Sequence, residues 1–188
     1  LAPIYLFALL ETKSWKVFLS SALGGLILFW ALTMPFSAAW QTHTGMTAFL
    51  HALNPVWIIQ KYLATLASYP YFSVNAFNLY SLLGLNWETL EIPGYETLLS
   101  VINSVILALG VLGSLFIFLK VKNRGSKLCL SAYFLFAFLF TFAFKMHERY
   151  IVLPILFLLM EFLFSKNRKM LYLFAGFGAA GFLNLYYI

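Results

Sequence analysis

The sequence predicts an all-α fold, a polytopic bundle of transmembrane helices. Three observations predict it. Hydrophobic residues make up 63% of the 188 and charged residues 10%, against roughly half and a quarter in soluble domains. Five apolar runs approach the length of about 20 residues that a helix needs to cross the hydrocarbon core. Basic residues gather between those runs in the alternating way that membrane orientation demands.

The five runs lie near 17–35, 98–119, 128–144, 151–164 and 170–188. The fourth is short and needs its flanks to complete a crossing. Residues 1–10 are apolar too, and read as the tail of a further span. Because the chain begins at Leu1 without Met or a signal-peptide n-region, the expectation is a C-terminal part, 1–188, of a longer membrane protein.

Lysine and arginine set the orientation. Lys13 and Lys16 precede the first run, Lys120, Lys122, Arg124 and Lys127 follow the second, and Lys166, Arg168 and Lys169 follow the fourth. With these segments cytoplasmic, nine of twelve basic residues lie inside, and only Lys61, Lys145 and Arg149 lie outside, as the positive-inside rule requires. The net charge of +6 is thereby read as orientation in a lipid bilayer, not as a nucleic-acid footprint. The single cysteine, Cys129, sits in an apolar run as a core residue and excludes an intrachain disulfide.

Residues 36–97 form one long outer loop. Its tryptophans Trp40, Trp57 and Trp87 and its tyrosines favour the membrane–water boundary. Residues 46–68 read as one or two interfacial helices, broken at Pro55; Pro70, Gly84, Pro93 and Gly94 mark turns. Within the spans, Ser20/Gly24, Ser21/Gly25, Ala175/Ala179 and Gly176/Ala180 have the spacing that lets helices pack closely.

The most chemically dense segment is Lys145-Met146-His147-Glu148-Arg149-Tyr150, between two apolar runs at the outer boundary. Ionisable groups at membrane depth usually face a polar cavity. Two cations, a histidine and a carboxylate suit a phosphate or pyrophosphate, and His147 suits proton transfer. The competing reading makes Lys145, Arg149 and Tyr150 interfacial anchors; an anchor has no use for His and Glu side by side. The second candidate is the pair Asn75 and Asn78, three apart and expected on one helix face, where amides suit sugar hydroxyls; the alternative is capping of a helix or turn. Glu161, a turn from Lys166, is expected to reach the inner interface. Asn103 reads as an interhelical hydrogen-bonding residue. His43 and His51, eight apart, are expected to face solvent, and no metal-ligand spacing is present.

The string FLFTFAFKMHERYIVLP at 138–154 resembles a segment of multi-span glycosyltransferases of the GT-C superfamily. It is similar to the His-Glu-Lys segment of the dolichyl-phosphate-glucose glucosyltransferases. It is more similar to bacterial mannosyltransferases related to the second GPI-anchor mannosyltransferase, in which a Lys-Met-His-Glu-Arg-Tyr string ends one span and begins the next. Ser-Val-Asn-Ala-Phe-Asn-Leu at 73–79, followed by Gly84-Leu85-Asn86-Trp87, is similar to the same bacterial group, as is Ala2-Pro3. The resemblance implies an integral-membrane enzyme of the bacterial plasma membrane. It would transfer a hexose, mannose or glucose, from a polyprenyl-phosphate carrier to a glycan or lipid acceptor on the outer face. It implies donor phosphate or sugar contacts at Lys145, His147, Glu148, Arg149, Tyr150, Asn75 and Asn78, with the lipid-linked sugar as donor substrate. The family's catalytic carboxylate belongs to the first outer loop. This chain has no aspartate, so the expectation places that base upstream of Leu1 and leaves 1–188 inactive alone. A lipid-linked-sugar flippase or transporter is the alternative, and a surface-polysaccharide polymerase or ligase a third. A transporter predicts polar residues strung along the span interiors, whereas here they cluster at one boundary.

Overall fold

A computed structural model describes residues 2–187, apart from the side chains of Leu66 and Ala67. The described chain is mostly helical. In order it forms α1 (Ala2–Thr12), α2 (Trp15–Thr33), a 3-10 turn at Met34–Phe36, α3 (Ala39–Thr42), α4 (Gly45–Leu53), α5 (Val56–Ala67), the short strand β1 (Ser73–Val74), α6 (Leu79–Leu82), α7 (Glu96–Lys120), α8 (Arg124–Phe142), the short strand β2 (Met146–His147), a 3-10 turn at Glu148–Ile151, α9 (Val152–Ser165) and α10 (Arg168–Tyr186). Among the described residues, three stretches are long and apolar enough to cross a membrane: Trp15–Thr42, Glu96–Lys120 and Arg124–Phe142. At 1.5 Å per residue, the 14 residues of α9 fall short of the core thickness. α10 is 19 residues long but begins with Arg168 and Lys169.

The chain divides into two bodies, residues 12–69 and residues 1–11 with 70–188. In the smaller body Ser14 caps α2, its hydroxyl accepting from the Val17 N–H at 3.4 Å. No residue of α2 is buried, and Leu19, Leu23, Leu26, Leu28 and Leu32 lie open. An apolar surface of this kind calls for lipid or another apolar partner. The break at Pro55 does divide two helices, α4 and α5, with the Asn54 side chain accepting from Val56 N–H at 3.0 Å. Ala48 and Ala52 of α4 are fully covered.

In the larger body α7 and α8 form an antiparallel hairpin. Asn123 closes it by accepting from the N–H groups of Gly125 and Ser126 at 3.0 and 3.1 Å, satisfying donors that a helix start leaves open. Ser114 and Ser131 are wholly buried where the two helices touch, and the Ser114 hydroxyl donates to Ser131 O at 2.8 Å. α8 packs on α9 through the parallel rings of Phe136 and Phe157, 5.6 Å apart, and on α10 through the edge-to-face pair Tyr133–Phe177. α1 stacks Phe7 on Phe118, and Glu11 takes ion pairs from Lys127 at 2.8 Å and Arg124 at 3.3 Å. The Gly125–Phe164 contact puts the end of α9 beside the start of α8. Lys122, Arg124 and Arg168 therefore share one end of this body, and residues 145–150 lie at the other.

Two packing expectations are corrected. Nothing lies within 4 Å of a Cβ built on Gly24, Gly25 or Gly176, and Ser20 and Ser21 bond back to their own helix at Val17 O and Phe18 O. Spacing alone does not say which face meets a partner. Close approach occurs instead at Gly110, Gly113, Gly125 and Gly181. A Cβ on Gly113 would run into the Phe134 ring, so Gly113→Val is expected to destabilise the α7–α8 hairpin by about 1–3 kcal/mol through overpacking. Thermal unfolding in lipid nanodiscs measures this, and Gly178→Val, which meets nothing, is the control.

Glu161 is the second correction. Its side chain does not reach the boundary but is 3% exposed inside the bundle, with Oε2 lacking a hydrogen-bond partner. It sits on the buried face of α9 with Leu158 and Pro154, so helix phase overrides its nearness to Lys166. Cys129 is buried, as its apolar setting predicts.

Candidate functional site

Three chain segments meet at the end of the larger body opposite Lys122. β1 pairs in parallel with β2, Ser73 opposite Met146 and Val74 opposite His147. Residues 86–90 line the other edge: Phe72 N–H donates to Glu88 O at 2.9 Å, Trp87 N–H to Ser73 O at 2.9 Å and Leu90 N–H to Pro70 O at 2.7 Å. Lys145 N–H donates to Phe72 O at 3.1 Å. The Ser-Val-Asn string and the Lys-Met-His-Glu-Arg-Tyr string, some seventy residues apart, thus belong to one small sheet.

An aromatic floor holds the sheet to the helices. Phe72, Tyr80 and Phe144 are buried in one cluster, with ring centres 4.9–5.7 Å apart. The Tyr80 hydroxyl donates to Phe142 O at 2.6 Å. Asn103, on α7, accepts from Phe144 N–H at 3.1 Å, so its partner is the backbone just past the end of α8. That contact caps the point where the helix stops and the chain turns extended at Ala143, two residues short of the run that hydropathy outlined.

Asn75 and Asn78 do not share a helix face. Asn75 follows β1 with a left-handed backbone, φ +54°, a conformation asparagine tolerates. Its side-chain Oδ1 accepts from the Trp87 indole N–H at 2.7 Å, and its N–H donates to Asn86 Oδ1 at 2.8 Å. Asn78 caps α6, accepting from Tyr80 and Ser81 N–H at 3.1 Å each, and its buried Nδ2 has no partner. The expected helix fails because the residues between them run through an irregular turn. Their amide oxygens are engaged in holding the segment, Asn78 as the cap of the alternative reading and Asn75 as the partner of Trp87.

The most consequential residue that sequence reasoning missed is Asn184, near the end of α10. It is fully buried. Its Oδ1 accepts from Phe77 N–H at 3.0 Å, and its Nδ2 donates to Asn75 O. A lone asparagine in an apolar run was the available signal. Trp87 and Lys145 also have left-handed backbones, φ +64° and +60°. Such strain, about 1–3 kcal/mol each, persists only where surroundings over-determine it, and it clusters at functional sites.

The motif side chains spread over this frame. Lys145 is exposed and lines a hollow of about 360 Å³ with Glu91, Glu96, Ser100 and Asn103. His147 is buried, 7% exposed, with Nδ1 4.0 Å from Glu148 Oε2 and its ring edge-to-face with Tyr150 at 5.6 Å. Arg149 is exposed, its guanidinium 5.9 Å from the Tyr150 ring centre. Burial pushes the His147 imidazole below its ordinary 6.5, the Arg149 charge adds to this, and Glu148 opposes it. His147 is therefore neutral at pH 7, able to donate from one nitrogen and accept at the other.

That depression has a testable sign. As pH falls below 6.5, the unfolded chain takes up a proton before the folded one, so stability from this group, complete above 6.5, declines toward the lower folded value. Protection of the Lys145 amide from hydrogen exchange is expected to fall between pH 7.5 and 5 relative to a His147→Gln variant. Equal profiles for the two proteins would contradict it.

Among the described residues, no three His, Cys, Asp or Glu side chains converge to hold a metal ion. Comparison with known protein families, with curated proteins and with solved structures finds no match to this chain.

Proposed function

We propose that this protein is an integral-membrane glycosyltransferase, whose site on the small sheet binds the phosphate and sugar of a polyprenyl-phosphate hexose and passes the hexose to a glycan or lipid acceptor. One observation carries the reading. The two strings that resemble GT-C glycosyltransferases, 73–79 and 145–150, are joined as neighbouring strands, Val74 beside His147.

In this reading α2, α7, α8, α9 and α10 all span the bilayer, with Lys122, Arg124 and Arg168 cytoplasmic and the sheet at the outer face. Arg149 is the phosphate ligand, because it is exposed and a guanidinium matches phosphate oxygens in two parallel hydrogen bonds. Lys145 shares its hollow with two carboxylates and contributes positive potential more than direct contact. Neutral His147 hydrogen-bonds the sugar or the bridging oxygen. Glu148 orients His147 and Arg149, and Tyr150 gives the guanidinium an aromatic bed. Asn75 and Asn78 shape the site through the backbone.

The test is a transfer assay on membranes containing the intact protein, supplied with radiolabelled polyprenyl-phosphate mannose or glucose. Label moving into a glycan or lipid acceptor is expected. Label crossing the bilayer of proteoliposomes with no new glycosidic bond would replace this reading with a flippase.

A further inference from the structure

The smaller body, residues 12–69, contains a cavity of about 800 Å³ that none of the motifs above lines. It is within the range of small-molecule sites, roughly 300–1,000 Å³. Gln41, Gln60, Trp57, His43, His51 and Lys61 are on its wall. The Trp57 indole is half-buried and pinned by its N–H, which donates to Ala52 O at 3.2 Å. Its ring therefore offers a fixed aromatic surface. His43 and His51, from α3's end and α4, stack with ring centres 4.2 Å apart; His51 faces solvent as expected, and His43 is half-buried. The Thr42 hydroxyl engages His43 Nδ1 at 2.8 Å, which leaves Nε2 for a solute.

The chemistry of this wall is selective. It carries no carboxylate, so no negative side chain draws a cation to it. It carries one ammonium, which suits a neutral or singly anionic guest. Of its three carboxamides, Asn54 has its oxygen taken by Val56 N–H, while those of Gln41 and Gln60 each donate and accept, matching adjacent hydroxyls that do the same, and an aromatic face suits the C–H side of a pyranose. A purely apolar guest would leave the amides and imidazoles unpaired.

We infer that this cavity is a saccharide-binding site for one or two hexose rings. Resting on the transferase reading, its occupant is the sugar of the acceptor; the binding itself does not depend on that reading.

Saturation-transfer NMR on the protein in nanodiscs, with α-1,6-mannobiose, maltose and diacetylchitobiose as probes, decides it. At least one disaccharide is expected to bind saturably. The double variant Gln41→Leu/Gln60→Leu is expected to weaken it about tenfold, the loss of two hydrogen bonds of modest net strength, while Lys122→Ala, a residue that does not line the cavity, binds it as wild type does. Absence of saturable binding for all three sugars, or equal binding by the double variant, would overturn the site. Sugar binding of the expected pattern, together with no glycosidic bond formed by the intact protein in the transfer assay above, would keep this site and remove the transferase reading.

Discussion

Arg149→Ala is expected to lower hexose transfer about 100-fold, the scale on which removing one charged or hydrogen-bonding contact to a reacting phosphate acts. The reasoning starts from what Arg149 does not do. It is exposed, and its guanidinium lies against the neighbouring Tyr150 ring. Its removal therefore leaves the sheet, the aromatic floor and the helix contacts intact, and thermal unfolding in nanodiscs should match wild type. Arg149→Lys keeps the charge and loses the planar fork, so it should recover only part of the rate. Full activity in Arg149→Ala would remove the phosphate role.

Asn184→Leu is expected to be the most damaging change to structure, about 2–4 kcal/mol in unfolding. The leucine has similar volume, so packing is a minor part of the loss. The larger part is that Phe77 N–H and Asn75 O lose their common partner, and each such group left unpaired costs about 1–3 kcal/mol. The consequence reaches the site, because Asn75 is one residue past β1 and also holds Trp87. A fall in transfer together with a fall in stability is expected here, in contrast to Arg149→Ala. An Asn184→Leu protein as stable as wild type would show that α10 does not fasten the sheet.

How much of this was legible in the sequence depends on the physics at each place. Lipid imposes a simple rule, so hydropathy located α2, α7 and α8 to within a few residues, and Pro55 marked the division between α4 and α5. Helix phase is a weaker signal when both faces are apolar. That is why Gly24 and Gly176 were expected at contacts that occur at Gly110 and Gly113, and why Glu161 was expected at the boundary. The two-residue strands left no periodicity to read, because their partners are far away in the chain. Asn75 and Asn78 looked like one helix face only if a helix was assumed; left-handed backbone at Asn75, Trp87 and Lys145 is set by hydrogen bonds from distant segments. The motif residues themselves are visible as charges in an apolar setting, whereas Asn184 is a single polar residue in an apolar run, with no neighbour to mark its role. The same holds for Gln41 and Gln60, ordinary loop polars until the fold placed them on one cavity wall.

Everything assigned to the site depends on residues 73–74 and 146–147 being adjacent strands. Disulfide trapping measures this directly. In a Cys129→Ala background, Ser73→Cys with Met146→Cys places thiols on registered neighbours, at a separation a disulfide can span. Mild oxidation in native membranes is expected to link this pair and to leave Ser73→Cys with Lys122→Cys unlinked. No link in the first pair, or equal linking in both, would contradict the account.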